Sequence, residues 1–307
     1  MTGVSRPEAQ ALLALGARPG GARRVRPWAA PLVRRKIVVV GGLLLAGATA
    51  AGALAPVLGG DPTRMDVAAR LAAPSRAHWL GTDDVGRDVW SRVVYGARLS
   101  LLVGAAVVAL ALVAGVFCGL LAGYYRRLDN AIMRVMDGLM AFPAIVLAIA
   151  LMAVLGPSVL NVVVAIGVVY TPRVARIVRA SVLVIRETAY VEAARALGAS
   201  DGALLTRHVL PNCLSPVVVQ ASFVFAAAVL TEAALSFLGV GVPPYVPSWG
   251  NILSEGRLYI QQAPWLVLYP GAAIMLTILA LNLVGDGLRD ALDPKARGLA
   301  TDKQGAA

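Results

Sequence analysis

The sequence predicts an all-α integral membrane protein with six transmembrane helices. Three observations predict it. Hydrophobic residues make up 58% of the chain and charged residues only 15%, where soluble domains carry about 45–50% and 25%. Charges are excluded from five long runs. Lys and Arg then collect on alternate connections between those runs. A soluble globule of 307 residues has too little interior for so much apolar side chain, and a mean hydropathy of +0.74 excludes a chain disordered throughout.

The uncharged runs are Ile37 to Leu58, Leu99 to Tyr125, Gly138 to Pro172, Val209 to Thr231 and Leu258 to Gly285. A spanning helix needs about 20 apolar residues, so four of the runs predict one span each. The third has 35 residues. As one helix it would be roughly 52 Å long at ~1.5 Å per residue, too long for a hydrocarbon core of ~30 Å. Gly156-Pro157-Ser158 in its middle is turn chemistry. The run therefore predicts a tight hairpin of helices over 138–155 and 158–176.

Residues 1–36 are rich in Ala, Gly, Pro and Arg and predict a disordered tail, with Arg34, Arg35 and Lys36 at the lipid headgroups. Ala53-Leu54-Ala55 mimics a signal-peptide cleavage site. The 22-residue run that contains it exceeds the ~7–15 residues of a signal h-region, so a retained span is expected. The chain divides into the tail 1–36, a first helix and outer loop 37–98, a five-helix core 99–285 containing a cytoplasmic loop 177–212, and a C-terminal tail 286–307.

An even number of spans puts both termini on one side. The N-terminal tail, 124–137, 173–208 and the C-terminal tail together hold 21 Lys and Arg, whereas the opposite connections hold 7. By the positive-inside rule the first face is cytoplasmic. This distribution accounts for the net charge of +11 without nucleic-acid binding. Cys118 and Cys213 sit in apolar runs with no CxxC spacing, so neither a disulfide framework nor a cysteine metal site is expected. GxxxxGK[ST], HExxH and GxSxG are absent from the sequence, as is any catalytic constellation.

The connection after the fourth span carries the most information. Ala, Leu, Arg and Glu dominate Arg173 to Asn212, and these are good helix formers. Val191, Ala194 and Leu197, then Leu204 and Leu205, recur at helical spacing. Glu192 and Arg195 form an i, i+3 pair. Gly198 permits a sharp change of direction. Ser200 or Asp201 can cap a following helix, and Pro211 can open the next span without cost. The segment predicts a small helix–Gly–helix element on the cytoplasmic face.

At this element the resemblance becomes specific. Glu192-Ala193-Ala194, Gly198 after three residues, and His208-Val209-Leu210-Pro211 after nine more resemble the EAA signature of ABC importer permeases, EAA-x3-G-x9-I-x-LP. His208 stands where Ile is commonest. HWLGTDDVGRDVWSRVVYGARLSL at 78–101, RVMDGLMAFPAIVLAI at 134–149, LTEAALSFLGVGVPPYVPSWGNIL at 230–253 and NLVGDGLRDALDPK at 282–295 are similar to the C-type permease of the dipeptide, oligopeptide and nickel branch. The resemblance covers about residues 34–297.

It implies a type I ABC importer permease fold with a cytoplasmic coupling helix, in the bacterial inner membrane. It implies three kinds of partner besides the lipid bilayer: a second homologous permease, two ABC ATPases that bind ATP-Mg, and an extracytoplasmic solute-binding protein. The chain itself is then a transport subunit with no enzymatic activity, cofactor or metal. Coupling to the ATPases falls on Glu192, Ala193, Ala194, Gly198, Leu210 and Pro211. Solute choice is left open among dipeptide, oligopeptide and nickel, with peptide preferred because both histidines lie outside the spans.

Glu232 is the acid inside a span, where a charge costs at least about 2.5–3.5 kcal/mol. It must face a cavity, find a partner or stay protonated. The structural reading pairs it with Arg98, and a gating role follows. From a different class, it would serve a stand-alone ion-coupled carrier, although one intramembrane acid is thin support for that. In the outer loop, His78, Asp83, Asp84 and Asp88 read as turn residues rather than metal ligands, with Thr82 or Asp83 capping the second span. Tyr245, Trp249, Tyr259 and Trp265 read as anchors at the membrane–water boundary.

Overall fold

The structure, a computed structural model, describes residues 36–292. The expected N-terminal tail and most of the C-terminal tail lie outside the described residues. Nine helices organise the rest: α1 (Lys36–Ala53), α2 (Val89–Tyr124), α3 (Arg126–Met140), α4 (Ala144–Leu155), α5 (Val159–Ile185), α6 (Ala189–Ala196), α7 (Leu210–Phe237), α8 (Trp249–Gly256) and α9 (Trp265–Leu292). No strand occurs among the described residues. Helices α1, α2, α5, α7 and α9 are long and apolar enough to cross a membrane.

The remaining crossing differs from the expected hairpin. Residues 138–140 belong to α3, and α3 meets α4 at a bend of 93°. Pro143 is the cause. It has no N–H to donate and keeps its predecessor out of the α region. Before it, α3 is amphipathic, with Arg126, Arg127, Arg134 and Asp137 exposed and Met136 buried. Its 12-residue successor α4 is roughly 18 Å long at ~1.5 Å per residue. Gly156 turns the chain at φ +81°, which a glycine adopts without strain. The Asn161 side chain then donates to Leu155 O and Gly156 O, at 2.7 and 3.1 Å.

The α2–α5 pair fixes the count of passes. Val174, Val178 and Val182 lie against Gly115, Gly119 and Gly123. Both series ascend, so the two helices run parallel. The chain must return between them, and α3–α4 is the return. Six passes result. The pair is also the most extensive helix contact in the fold. Small residues let backbones approach closely where lipid supplies no hydrophobic drive. A Cβ on Gly119 would lie 2.6 Å from Ala175 O and from Val178 Cβ, so side-chain rotation alone relieves nothing. Gly119→Leu is expected to cost about 1–3 kcal/mol, the usual range for overpacking. A lowered unfolding midpoint in detergent checks this; an unchanged midpoint would mean the helices part freely.

Helix α5 also overruns its expected end at 176. It continues to Ile185, so Arg173, Arg176 and Arg179 belong to a helix and not to a loop. Gly41 of α1 abuts Leu283 of α9, and Val38 abuts Gly287. These helices are antiparallel, and the two ends of the described chain meet at one end of the bundle. The main core joins α2, α4, α5 and α7 through Val103, Val107, Met152, Ile166, Val178 and Val224. A second cluster of Ala97, Val229, Ala233, Trp249 and Ile274 ties α8 and α9 to it.

Candidate functional site

Three sites deserve construction from their residues: the element between α5 and α7, the surroundings of Glu232, and the outer loop.

The first begins at Thr188, whose hydroxyl donates to Ile185 O at 2.6 Å. Helix α6 follows at once and is anchored by buried Val191. Glu192 and Ala193 face outward, and Ala194 is half-buried. The expected Glu192–Arg195 pair does not form. Arg195 lies instead over the Tyr124 ring, 5.9 Å from its centroid, and the Tyr124 hydroxyl donates to Asp201 Oδ1 at 2.7 Å. Leu197 was expected on the packed face with Val191 and Ala194, yet it is 90% exposed. It stands past the last turn, where the chain leaves the helix axis.

Gly198 makes that departure at φ +84°. Ala199 N donates to Ala194 O at 3.1 Å and Gly198 N to Arg195 O at 3.0 Å. This is the paired closure of a helix end around a left-handed residue, a position that favours glycine. Ser200, rather than Asp201, caps the next turn by accepting from Ala203 N at 3.4 Å. A π-helical stretch, Leu204–Val209, then leads into α7, where Leu210 and Pro211 are the first two residues. Asn212 donates to His208 O at 2.6 Å and to the Tyr190 hydroxyl at 3.2 Å. The element is thus a braced knob. It leaves Glu192, Ala193 and Leu197 exposed and is tied to two spanning helices within a few residues on each side.

Glu232 is fully buried near the C-terminal end of α7. Ser100 donates to its Oε2 at 2.9 Å and Ser236 to its Oε1 at 3.0 Å. Ser236 also accepts from Val242 N at 3.2 Å, so the carboxyl fastens α2, α7 and the following loop together. The expected partner Arg98 is exposed and makes no ion pair with Glu232. The reason is helical: residues 98 and 100 point to different faces of α2, and the serine occupies the inward one. Glu232→Ala is expected to cost about 2–4 kcal/mol, because it leaves both serines without their acceptor and opens a cavity. Arg98→Ala is expected to stay within about 0.5 kcal/mol. Unfolding midpoints of the two variants check the contrast, and a double charge swap should rescue neither.

Trp249 is another correction. It is buried, donates to Val93 O at 2.9 Å and packs on Gly96. The close approach of glycine creates its slot, so it is a core residue and not a boundary anchor. Trp265 donates to Thr82 O at 3.1 Å, while Tyr245 is exposed.

The outer loop holds an ion network that sequence reasoning missed. Asp83 is fully buried and Arg92 nearly so. Asp83 Oδ2 accepts from Arg87 Nε and from Arg92 Nη1, both at 2.6 Å. Its Oδ1 accepts from Val85 N and Arg87 N at 3.0 and 2.8 Å. Glu255 of α8 closes the network. Arg92 grips both its oxygens, and Arg87 Nη2 donates to Oε2 at 2.9 Å. The carboxylates of Asp83, Asp84 and Glu255 converge within 4.8 Å, but all three already face these guanidinium groups, Asp84 at 3.9 Å from Arg87 Nη2. The cap of α2 is Asp88, accepting from Ser91 N at 2.8 Å, and not Thr82 or Asp83. Thr82 instead donates to Ala69 O and accepts from Ala72 N. The missing signal was Glu255, 163 residues beyond Arg92.

Comparisons with known proteins follow the same line. The family described as binding-protein-dependent transport system inner membrane component matches residues 93–298. The chain is 46% identical over 278 residues to a dipeptide transport system permease protein of Alkalihalophilus pseudofirmus, covering 89% of this chain and 91% of that one. It is 49% identical over 222 residues to a di/tripeptide transport system permease protein of Pseudomonas aeruginosa, covering 72% and 73%. It is 48% identical over 225 residues to a glutathione transport system permease protein of Pectobacterium atrosepticum, covering 73% and 75%.

Proposed function

This chain belongs to the binding-protein-dependent transport system inner membrane components, and from that membership we propose that it forms half of the translocation path of an ATP-driven importer of short peptides. A second, homologous permease completes the path. Two ABC ATPases bind and hydrolyse ATP-Mg below it. An extracytoplasmic binding protein delivers solute above. Relatives named for dipeptide, di/tripeptide and glutathione transport support a peptide solute over nickel. The chain is a transport subunit rather than an enzyme.

The observation that carries the coupling role is the knob at α6. Glu192, Ala193 and Leu197 are exposed, yet the helix beneath them is held by Val191 and by the closure at Gly198. An exposed leucine on a rigid base suits insertion into a groove. Leu210 and Pro211 join the element to α7, so force applied at α6 reaches a spanning helix directly. Lys36, Arg126 and the 186–208 segment gather at one end of the bundle, as the charge asymmetry requires of a cytoplasmic face. Both termini are then cytoplasmic and the protein is a multi-pass inner-membrane subunit.

A carrier working alone through Glu232 is the less supported reading, because that carboxyl is enclosed by serines. Co-purification tests the proposal. The tagged chain, expressed with its genomic neighbours and extracted in mild detergent, is expected to bring a second six-span permease and P-loop ATPases. Recovery alone, or as a homo-oligomer without ATPase, would contradict it.

A further inference from the structure

Helix α5 carries three arginines at i, i+3 and i+6, and two of them are answered by α3. Arg176 donates to Asp137 Oδ1 at 2.8 Å. Arg179 makes a two-point contact with Asp129, at 2.5 and 2.7 Å. Arg173, one turn deeper, meets no carboxylate among the described residues and is exposed. Its guanidinium lies over the Tyr170 ring, 5.4 Å from the centroid. The Tyr170 hydroxyl is in turn fixed to Thr231 Oγ1 at 2.9 Å. Thr231 gives its own proton to Ala227 O at 2.8 Å, so Tyr170 is the donor.

The depth of Arg173 follows from the parallel helix pair. Its neighbour Val174 packs on Gly115. Arg126, the first charge after the uncharged run of α2, is 11 residues further along, which is roughly 16 Å at ~1.5 Å per residue. Arg173 therefore sits beside the apolar stretch of α2. The other sides of α5 are covered at this level. Helix α2 covers Val174 and Val178, α7 covers Tyr170, and α3 covers Arg179 and ties down the exposed Arg176. The sector left open holds Arg173, Ala180 and Val184. A charge at such depth faces protein or a water-filled path, not lipid.

We propose that Arg173 is a carboxylate station on the solute path, taking the C-terminal carboxylate of a passing peptide. The claim rests on the peptide-importer reading. A guanidinium matches a carboxylate with two parallel N–H bonds. Stacking on Tyr170 pre-orients the fork and leaves its N–H edge free. Arg176, the next cation along this face, is already held by Asp137, so one uncommitted cation meets the solute and holds it weakly enough for onward release.

The test uses the whole importer in proteoliposomes with its binding protein. ATP-driven uptake of trialanine and of trialanine amide is compared at equal binding-protein occupancy, in the wild type and in Arg173→Gln and Arg173→Lys. In the wild type the free peptide is expected to cross about tenfold faster than the amide, the equivalent of one charge-assisted two-point contact. In Arg173→Gln that ratio collapses to about one, and Arg173→Lys recovers part of it. Subunit stoichiometry is measured for both variants, so that a change of assembly is told apart from a change of ratio. An unaltered ratio in Arg173→Gln overturns the proposal. So does loss of the partner permease from that variant, which would make Arg173 an interface ion pair. If the wild type takes up neither peptide, the peptide-importer reading itself falls, and that outcome is distinct from a change of ratio.

Discussion

Arg92→Ala is expected to remove most folded protein from the membrane. Arg92 bridges buried Asp83 and the Glu255 carboxyl. Deleting it leaves Asp83 with Arg87 as its one cation and Glu255 with a single N–H donor. Breaking a buried ion pair from one side costs about 3–5 kcal/mol, because the remaining charge stays desolvated. That is a large part of a typical folding free energy of about 5–15 kcal/mol. The network also joins the outer loop to α2 and α8, so its loss loosens the outer end as a unit. Thermal unfolding in detergent and the yield of monodisperse protein read the effect. Arg92→Ala combined with Asp83→Asn should cost less than the two single changes summed, because both act on one network. A wild-type midpoint for Arg92→Ala would mean that water already reaches Asp83.

Gly198→Val is the second large effect, and it is functional rather than global. A β-branched residue at φ +84° is a genuine conformational outlier. The cost is about 1–2 kcal/mol. No atom lies within 4 Å of a Cβ built there, so the penalty is backbone strain and not a clash. The strain falls on the closure that orients Leu197 and the exposed face of α6. An uptake loss of about tenfold is expected, since ~1.4 kcal/mol is one decade in a local equilibrium. Membrane abundance should stay within about twofold, because surface changes leave the core intact. Gly198→Asn should be milder, since Asn visits the left-handed region more readily. Equal uptake by Gly198→Val and wild type would remove Gly198 from the coupling account.

The spans were legible because their signal is compositional. Runs without charge and the Gly156 turn located five of the six crossings, although the helices overrun the uncharged stretches, α2 beginning already at Val89 and α5 ending only at Ile185. The broken crossing was misjudged for a physical reason: residues 138–142 are apolar, and only Pro143 and the pattern of the charged residues before it reveal that they finish an amphipathic helix. The end of α5 was misjudged because arginine reads as a loop residue in a membrane sequence. Here two of the three are neutralised by acids on α3, a tertiary fact. The α6 element was readable down to its turn, since Gly198 and Ser200 act locally. Glu232 was found, but its partners were not, because serines carry no charge to pair by counting. The outer network needed Glu255, whose distance along the chain hides it from any local pattern.

The central claim is that ATP hydrolysed on partner subunits drives solute through a path half built by this chain. Peptide accumulation in sealed proteoliposomes tests it most directly, with the assembled complex, the binding protein, and ATP-Mg on the ATPase side. The account predicts uptake that requires ATP and the binding protein and persists when an ionophore collapses all ion gradients. Uptake that needs no ATP and stops with the ionophore would contradict it.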